Sequence, residues 1–294
     1  MYISYYCKFY LLQCGFLLWL FKVLYNIITD MKSKNNKKII VLASFSLVAL
    51  GMFVCLISLQ QIYAQVSATP TPANSNATKP LPVLLIHGYL SDASTWKKWE
   101  DLLKKDNIPV FPITFTQSDD KCGSAAEHAK ELSSQIANVK DQTGQNKVNI
   151  VGHSKGGLDA RMYLGNSTQD VANLIMIGTP NAGSPLAVNN DVCAPAIYDL
   201  KPGAPDTKVK ENPNTKYYTI AGEWNPDAGN CDLLAPIQQG GYDSLPKPND
   251  GMVPISSVES LEYSDSLGHS KSCHSNLLSE YEYGLAKAVL IGNR

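Results

Sequence analysis

The chain has almost no excess of charge of either sign: 25 Lys and Arg stand against 26 Asp and Glu. That balance removes the electrostatic case for nucleic acid or another polyanion as a partner. Metal and phosphate chemistry have no footing either. No His, Cys and Asp cluster stands at ligand spacing and no glycine-rich phosphate loop occurs, so neither metal nor cofactor is expected. Cysteine is sparse, with 7 in 294 residues, and unevenly placed. Cys7, Cys14 and Cys55 lie in an apolar N-terminal stretch, while Cys122, Cys193, Cys231 and Cys273 lie in the remainder.

Residues 1–30 are mostly apolar and aromatic, broken by Lys8 and Lys22. Met31 then opens a basic patch (Lys32, Lys34, Lys37, Lys38), followed by an uncharged run from Ile39 to Leu59. Such a run is about long enough to span a bilayer as a helix. With small residues after it, residues 31–66 read as an export signal cleaved after Ala64 or Ala68, or as an uncleaved membrane anchor. Because Met31 is a self-sufficient start, residues 1–30 are either an upstream start-site extension or a second membrane segment. The positive-inside bias puts the C-terminal part outside in both cases. The expected location is therefore extracytoplasmic, secreted or anchored to the cell membrane through the N-terminal segment. Residues 67–80, rich in Thr, Pro, Asn and Ser, read as a linker. The triplets Asn76-Ala77-Thr78 and Asn166-Ser167-Thr168 are glycosylation sequons, a weak indication of the same location.

From Leu81 the pattern changes. Expected strands at Val83–Ile86, Val110–Phe115, Val148–Val151, Leu174–Ile177 and Tyr217–Ile220 are separated by helical stretches such as Ser94–Lys105 and Ala125–Val139. Val258–Tyr263 reads as a last strand and Leu277–Leu290 as a closing helix. This alternation predicts an α/β fold with a mostly parallel, doubly wound sheet and helices on both faces. Two stretches heavy in Pro, Gly, Asn and Asp, 185–213 and 223–248, interrupt it and are expected to form a small cap over the site. Four cysteines in an exported domain predict two disulfides among three connectivities. Cys193–Cys231 stapling the cap, with Cys122–Cys273, is the expected pairing.

One stretch carries the chemistry. Val148 to Val151 runs directly into Gly152-His153-Ser154-Lys155-Gly156-Gly157, with a helix-compatible segment after it. In that strand–turn–helix context Gly-x-Ser-x-Gly is a nucleophile elbow. Side chains at Gly152 or Gly156 would collide with the neighbouring strand and helix. A serine hydroxyl needs a base. His153 abuts the serine on a bend that aims adjacent side chains apart, His87 should brace the loop after the first strand, and His128 reads as solvated surface. His269 and His274 remain; His274 is favoured because the next residues open a helix, whereas His269 sits among Gly and Ser with nothing to hold it. Asp250 supplies the acid in the order Ser, Asp, His, with Asp227, Asp232 and Asp243 as rivals in the cap. The backbone N–H groups of Tyr89 and Lys155 are the expected oxyanion donors, the Lys155 side chain pointing to solvent.

Together, His87-Gly88-Tyr89, the elbow, Gly178-Thr179-Pro180-Asn181-Ala182-Gly183-Ser184 and Asn249-Asp250-Gly251-Met252-Val253-Pro254 give residues 81–294 a resemblance to α/β-hydrolases of the bacterial and archaeal triacylglycerol lipase type. The resemblance implies Ser154 as nucleophile, Asp250 as acid and His274 as base. It further implies hydrolysis of lipid or other hydrophobic carboxylic esters through an acyl-enzyme by a monomer. Some relatives of this type hold calcium near the histidine loop, but no ligand set is matched here. An acyltransferase or lipid-remodelling deacylase on the same triad is the nearest rival expectation, and a non-catalytic binding module with this fold is the rival from another class.

Overall fold

Val83 and Leu85 belong to one apolar core, whereas Leu84 and Ile86 belong to another. Successive strand residues point to opposite faces, so both sets are buried only when both faces of the sheet are covered. The same alternation repeats along the chain: Val151, Ile175, Ile177 and Tyr218 fall in the first core, and Ile150, Leu174, Met176 and Tyr217 in the second. Each fully buried aliphatic side chain contributes roughly 1.5–3 kcal/mol by leaving water.

The computed structural model describes residues 79–166, 168–187, 193–228, 231 and 235–292. The expected extension, the signal or anchor and nearly all of the linker lie outside the described residues. Among those described, no helix is long and apolar enough to cross a membrane.

The strands are β1 (Val83–Ile86), β2 (Val110–Pro112), β3 (Val148–His153), β4 (Val171–Ile177), β5 (Lys216–Gly222) and β6 (Ser264–Ser270). The helices are α1 (Lys97–Lys105), α2 (Ala125–Thr143), α3 (Lys155–Leu164), α4 (Ala194–Asp199), α5 (Ala235–Ser244), α6 (Ile255–Val258) and α7 (Glu280–Leu290). The sheet runs β2-β1-β3-β4-β5-β6 with every pairing parallel. Trp99 and Leu103 of α1 and Tyr283, Ala286 and Val289 of α7 cover the first core. Leu132, Ile136 and Val139 of α2 and Ala160 and Tyr163 of α3 cover the second. Helix α2 starts at a capping box between Ser124 and Glu127 and stops where Gly144 adopts φ 69°, a left-handed turn that glycine takes without strain.

After β1 the chain builds β2 on one side and then crosses to place β3 on the other. The reversal therefore falls between β1 and β3, and a crevice opens at their carboxyl ends. His87-Gly88 and Ser154 follow those ends directly.

Several expectations are corrected. Val258–Tyr263 is not a strand: Pro254 leads into the short α6, its carbonyl accepting from the Ser257 and Val258 amides, and the sixth strand begins at Ser264. That strand, Ser-Asp-Ser-Leu-Gly-His-Ser, lies at the sheet edge, where polar side chains meet water and protect the exposed backbone. The closing helix begins at Glu280, capped by Ser279, with a separate 3₁₀ turn at His274–Asn276. Among the described residues, the stretches 185–213 and 223–248 carry α4, α5 and short 3₁₀ turns. The disulfides pair Cys122 with Cys193 and Cys231 with Cys273, across Cα separations of 4.7 and 5.4 Å. Each bond ties one cap stretch to the body of the domain instead of tying the two stretches together.

Candidate active site

Ser154 has φ 53° and ψ −125°, a left-handed backbone for a residue with a side chain. Such strain, on the order of 1–3 kcal/mol, persists only where surroundings impose it. They do so here through close packing. A Cβ on Gly152 would lie 2.6 Å from the Gly157 amide nitrogen, and one on Gly156 would lie 2.4 Å from the Ile86 carbonyl oxygen. A Cβ on Gly157 would meet the Thr179 hydroxyl oxygen at 2.1 Å. Helix α3 therefore abuts β1 and the 178–180 loop without room for a methyl group, and the serine is left at the bend. Its amide donates to the Ile177 carbonyl at 2.9 Å.

Around this bend the chain ends converge. A Cβ on Gly88 would sit 2.9 Å from the Ser154 Cβ, so the loop carrying Tyr89 lies against Ser154. A Cβ on Gly178 would sit 3.2 Å from His274 Cε1 and Nδ1, which places the imidazole over the end of β4, beside the bend. His274 Nδ1 lies 2.7 Å from Asp250 Oδ2. A carboxylate oxygen only accepts, so Nδ1 carries the proton and Nε2 is left with its lone pair. The other Asp250 oxygen, Oδ1, accepts from the amides of Met252 (2.9 Å) and Val253 (2.7 Å). The carboxylate is wholly buried, and its own carbonyl accepts from the His274 amide at 2.9 Å. No hydrogen bond joins the Ser154 hydroxyl to His274 among the described residues, and such bonds are often long before substrate binds.

The remaining histidines sort as follows. His87 is buried and braces its loop, with Nε2 2.9 Å from Asp120 Oδ1, as expected. His153 donates from Nε2 to the His274 carbonyl at 3.1 Å, and the two rings stand 4.9 Å apart. Burial, then the neighbouring His274, pushes His153 down to about 3, so it stays neutral beside His274. His269 is not free in a loop: it lies in β6 and bonds Glu259 Oε1 at 2.9 Å. Of the rival acids, Asp227 sits in the Pro226–Ala228 turn, Asp243 accepts from Gln239 on α5, and Asp232 lies outside the described residues.

Two expectations about charged residues are overturned. The Lys155 side chain does not reach solvent, being 2% exposed, and its Nζ donates to Asp159 Oδ1 at 2.5 Å. His128 is not surface either: it is buried, stacked on Phe115, and bonded to Asp159 Oδ2 at 2.8 Å. The signal was present in the sequence as Lys155 and Asp159 one helical turn apart, immediately behind the elbow. Sequence reasoning also missed Gln238 of α5. Its side chain donates to the Ser275 hydroxyl at 2.9 Å and accepts from the Ser275 amide at 3.3 Å, holding the residue after His274.

Asp206, in the first cap stretch, is fully buried, and neither carboxyl oxygen has a hydrogen-bond partner among the described residues. Burial, then nearby Asp199, raises it to about 7. The folded protein holds this proton more tightly than the unfolded chain does. Its stabilising contribution is therefore complete below the ordinary value of 3.8 and is lost as pH rises to about 7. Asp206→Asn removes that titration. Its thermal midpoint should exceed the wild-type value at about pH 8 but not at about pH 4, by about 2–4 °C for each kcal/mol relieved. Thermal melts across that range that show the same difference at both ends would contradict the assignment.

Comparison with known proteins agrees with this architecture. Residues 82–220 match the palmitoyl protein thioesterase family. A triacylglycerol lipase of Burkholderia plantarii is 31% identical over 129 residues, covering 41% of this chain and 35% of that protein. One from Pseudarthrobacter phenanthrenivorans is 32% identical over 123 residues, covering 39% and 38%. The aligned region thus spans little more than a third of the length of these relatives. Among solved structures, the mature Bacillus licheniformis lipase superposes with a TM-score of 0.58 at 23% identity, covering 76% of this chain and 94% of that one. A metagenomic carboxyl esterase superposes at 0.57 with 17% identity, covering 73% and 75%. The parallel sheet, its switch point and the strained serine bend make up an α/β-hydrolase fold. In sequence, parts of the chain are similar to lipases and to the thioesterase family.

Proposed function

We propose that the chain is a serine hydrolase of carboxylic esters, with lipid or other hydrophobic acyl esters as substrates. The observation that carries this reading is the bonded pair Asp250–His274, set beside a serine in the strained bend between β3 and α3. In the proposed reaction, His274 Nε2 takes the Ser154 proton as Oγ attacks the ester carbonyl. The oxyanion is held by the amides of Lys155 and Tyr89, each such donor contributing about 3–4 kcal/mol to the transition state. His274 then protonates the leaving alcohol, and water repeats the sequence in reverse on the acyl-enzyme. Asp250 holds the imidazole in the required tautomer and stabilises it when charged.

The thioesterase-family match over residues 82–220 favours a second substrate class, acyl thioesters, on the same site. A thiolate leaves without the proton that an alkoxide needs, so for that class His274 would act chiefly as the base for Ser154 and for water. The two disulfides support an oxidising, extracytoplasmic location. Export through residues 31–66, with retention at a membrane or release, is part of the proposal.

The test is a panel of p-nitrophenyl esters and matched acyl thioesters of increasing chain length, assayed by initial rates. Saturable turnover of at least one ester is expected. Cleavage of anilides or peptides with no ester turnover would refute the proposal.

A further inference from the structure

Behind the nucleophile lies a group of charged side chains that the proposed chemistry does not use. Lys155, Asp159 and His128 are each no more than 3% exposed, and Asp199 of α4 is also buried. Lys155 Nζ donates to Asp159 Oδ1 at 2.5 Å and lies 4.0 Å from Asp199 Oδ2. Asp199 Oδ2 also accepts from the Ala125 amide at the start of α2, at 2.5 Å. Four parts of the fold therefore meet at one point: the first turn of α3, the start of α2, the 119–120 loop and cap helix α4.

His128 Nε2 faces the Asp119 carbonyl at 3.0 Å, and Nδ1 lies between Asp159 Oδ2 at 2.8 Å and Lys155 Nζ at 3.4 Å. The ring stacks face to face on Phe115, with centroids 3.8 Å apart. Burial works against the Asp159 charge, but Lys155 and His128 outweigh it and hold this carboxyl below its ordinary range.

A buried ion pair is seldom the most stabilising filling for such a space, because desolvation offsets most of the attraction. What this one does is fix a backbone. Lys155 is the first residue of α3, and its amide is a proposed oxyanion donor. We propose that the Lys155–Asp159–His128–Asp199 cluster positions the Lys155 amide for the transition state by tethering the elbow's first turn to α2 and to the cap. The side chains act through the backbone they hold and do not touch the substrate. This inference rests on the esterase reading above.

The test compares Lys155→Met, Asp159→Asn and the apolar double variant Lys155→Met/Asp159→Leu. Each is assayed for kcat and KM on a soluble ester, for thermal midpoint, and for inhibition by a trifluoromethyl ketone, which binds as a tetrahedral oxyanion. Each single variant should lower kcat about 10- to 100-fold, short of the loss of the donor itself, with KM within about two-fold. Ketone affinity should fall by the same factor as kcat. The double variant should recover the thermal midpoint while kcat stays low. If the single variants do not fold, the double variant decides alone. Full recovery of kcat in the double variant, or unchanged ketone affinity in any of the three, overturns the proposal. A wild-type protein that hydrolyses no ester would sink the esterase reading itself, whereas an active wild type whose variants keep their kcat would sink only the tether.

Discussion

Ser154→Ala is expected to lower kcat for a p-nitrophenyl ester by roughly a million-fold, leaving a residual rate from the oxyanion donors and binding alone. The size follows from the covalent step: without Oγ no acyl-enzyme forms, and the imidazole is left with only water to activate. Folding should be untouched. The bend is imposed by the contacts at Gly152, Gly156 and Gly157, none of which involves the Ser154 hydroxyl. Alanine enters the same backbone conformation as serine does, so the thermal midpoint should move by no more than about 1 °C. Turnover within ten-fold of wild type in a folded variant would remove the serine from the mechanism.

The second large effect is expected from Asp250→Asn, a loss of about 10⁴ in kcat. One oxygen of Asp250 accepts the two amides of Met252 and Val253, and the other accepts His274 Nδ1–H. An asparagine oxygen can keep the amides, so the loop stays in place. Its NH₂ then faces Nδ1 and donates to it, which forces the proton to Nε2, where it blocks acceptance from Ser154. The variant should keep its fold and its KM while losing kcat. Activity within ten-fold of wild type would show that the pairing seen here does not set the tautomer.

How much of this was legible in the sequence differs by element. The inner strands were, because parallel strands covered on both faces read as unbroken apolar runs such as Val83-Leu84-Leu85-Ile86. Strand β6 was not, because an edge strand shows no such run. The nearby apolar residues Val258 and Leu261 drew the expectation to the wrong segment. The serine bend was legible because close packing demands glycine at fixed offsets, and the collision distances at Gly152 and Gly156 bear that reading out. His274 and Asp250 could be ordered along the chain, and the structure brings them together. What holds them could not be read: Gln238 on Ser275, or the Asn249 side chain, which accepts from the Gly251 amide at 2.8 Å and donates into the 242–246 carbonyls.

The errors share a cause. Lys155 and His128 were placed at the surface because lone charged residues usually sit there. Only the Lys155–Asp159 pair is local; the other partners that make burial acceptable, His128 with the Asp119 carbonyl and Asp199, come from separate segments that no local pattern joins. The disulfide pairing failed in the same way. Cysteine spacing leaves three connectivities, and the choice depends on where the cap stretches settle. The first settles against the start of α2, bringing Cys193 to Cys122, and the second against the histidine loop, bringing Cys231 to Cys273.

The central claim is that one hydroxyl at the end of β3 is activated by the histidine near the C-terminus. Treatment of the wild-type protein with a fluorophosphonate, followed by peptide mass spectrometry, tests it most directly. The account predicts one phosphonyl adduct, on Ser154, appearing in step with loss of ester turnover and absent from His274→Ala. An adduct on any other residue, or full activity with no adduct on Ser154, would contradict it.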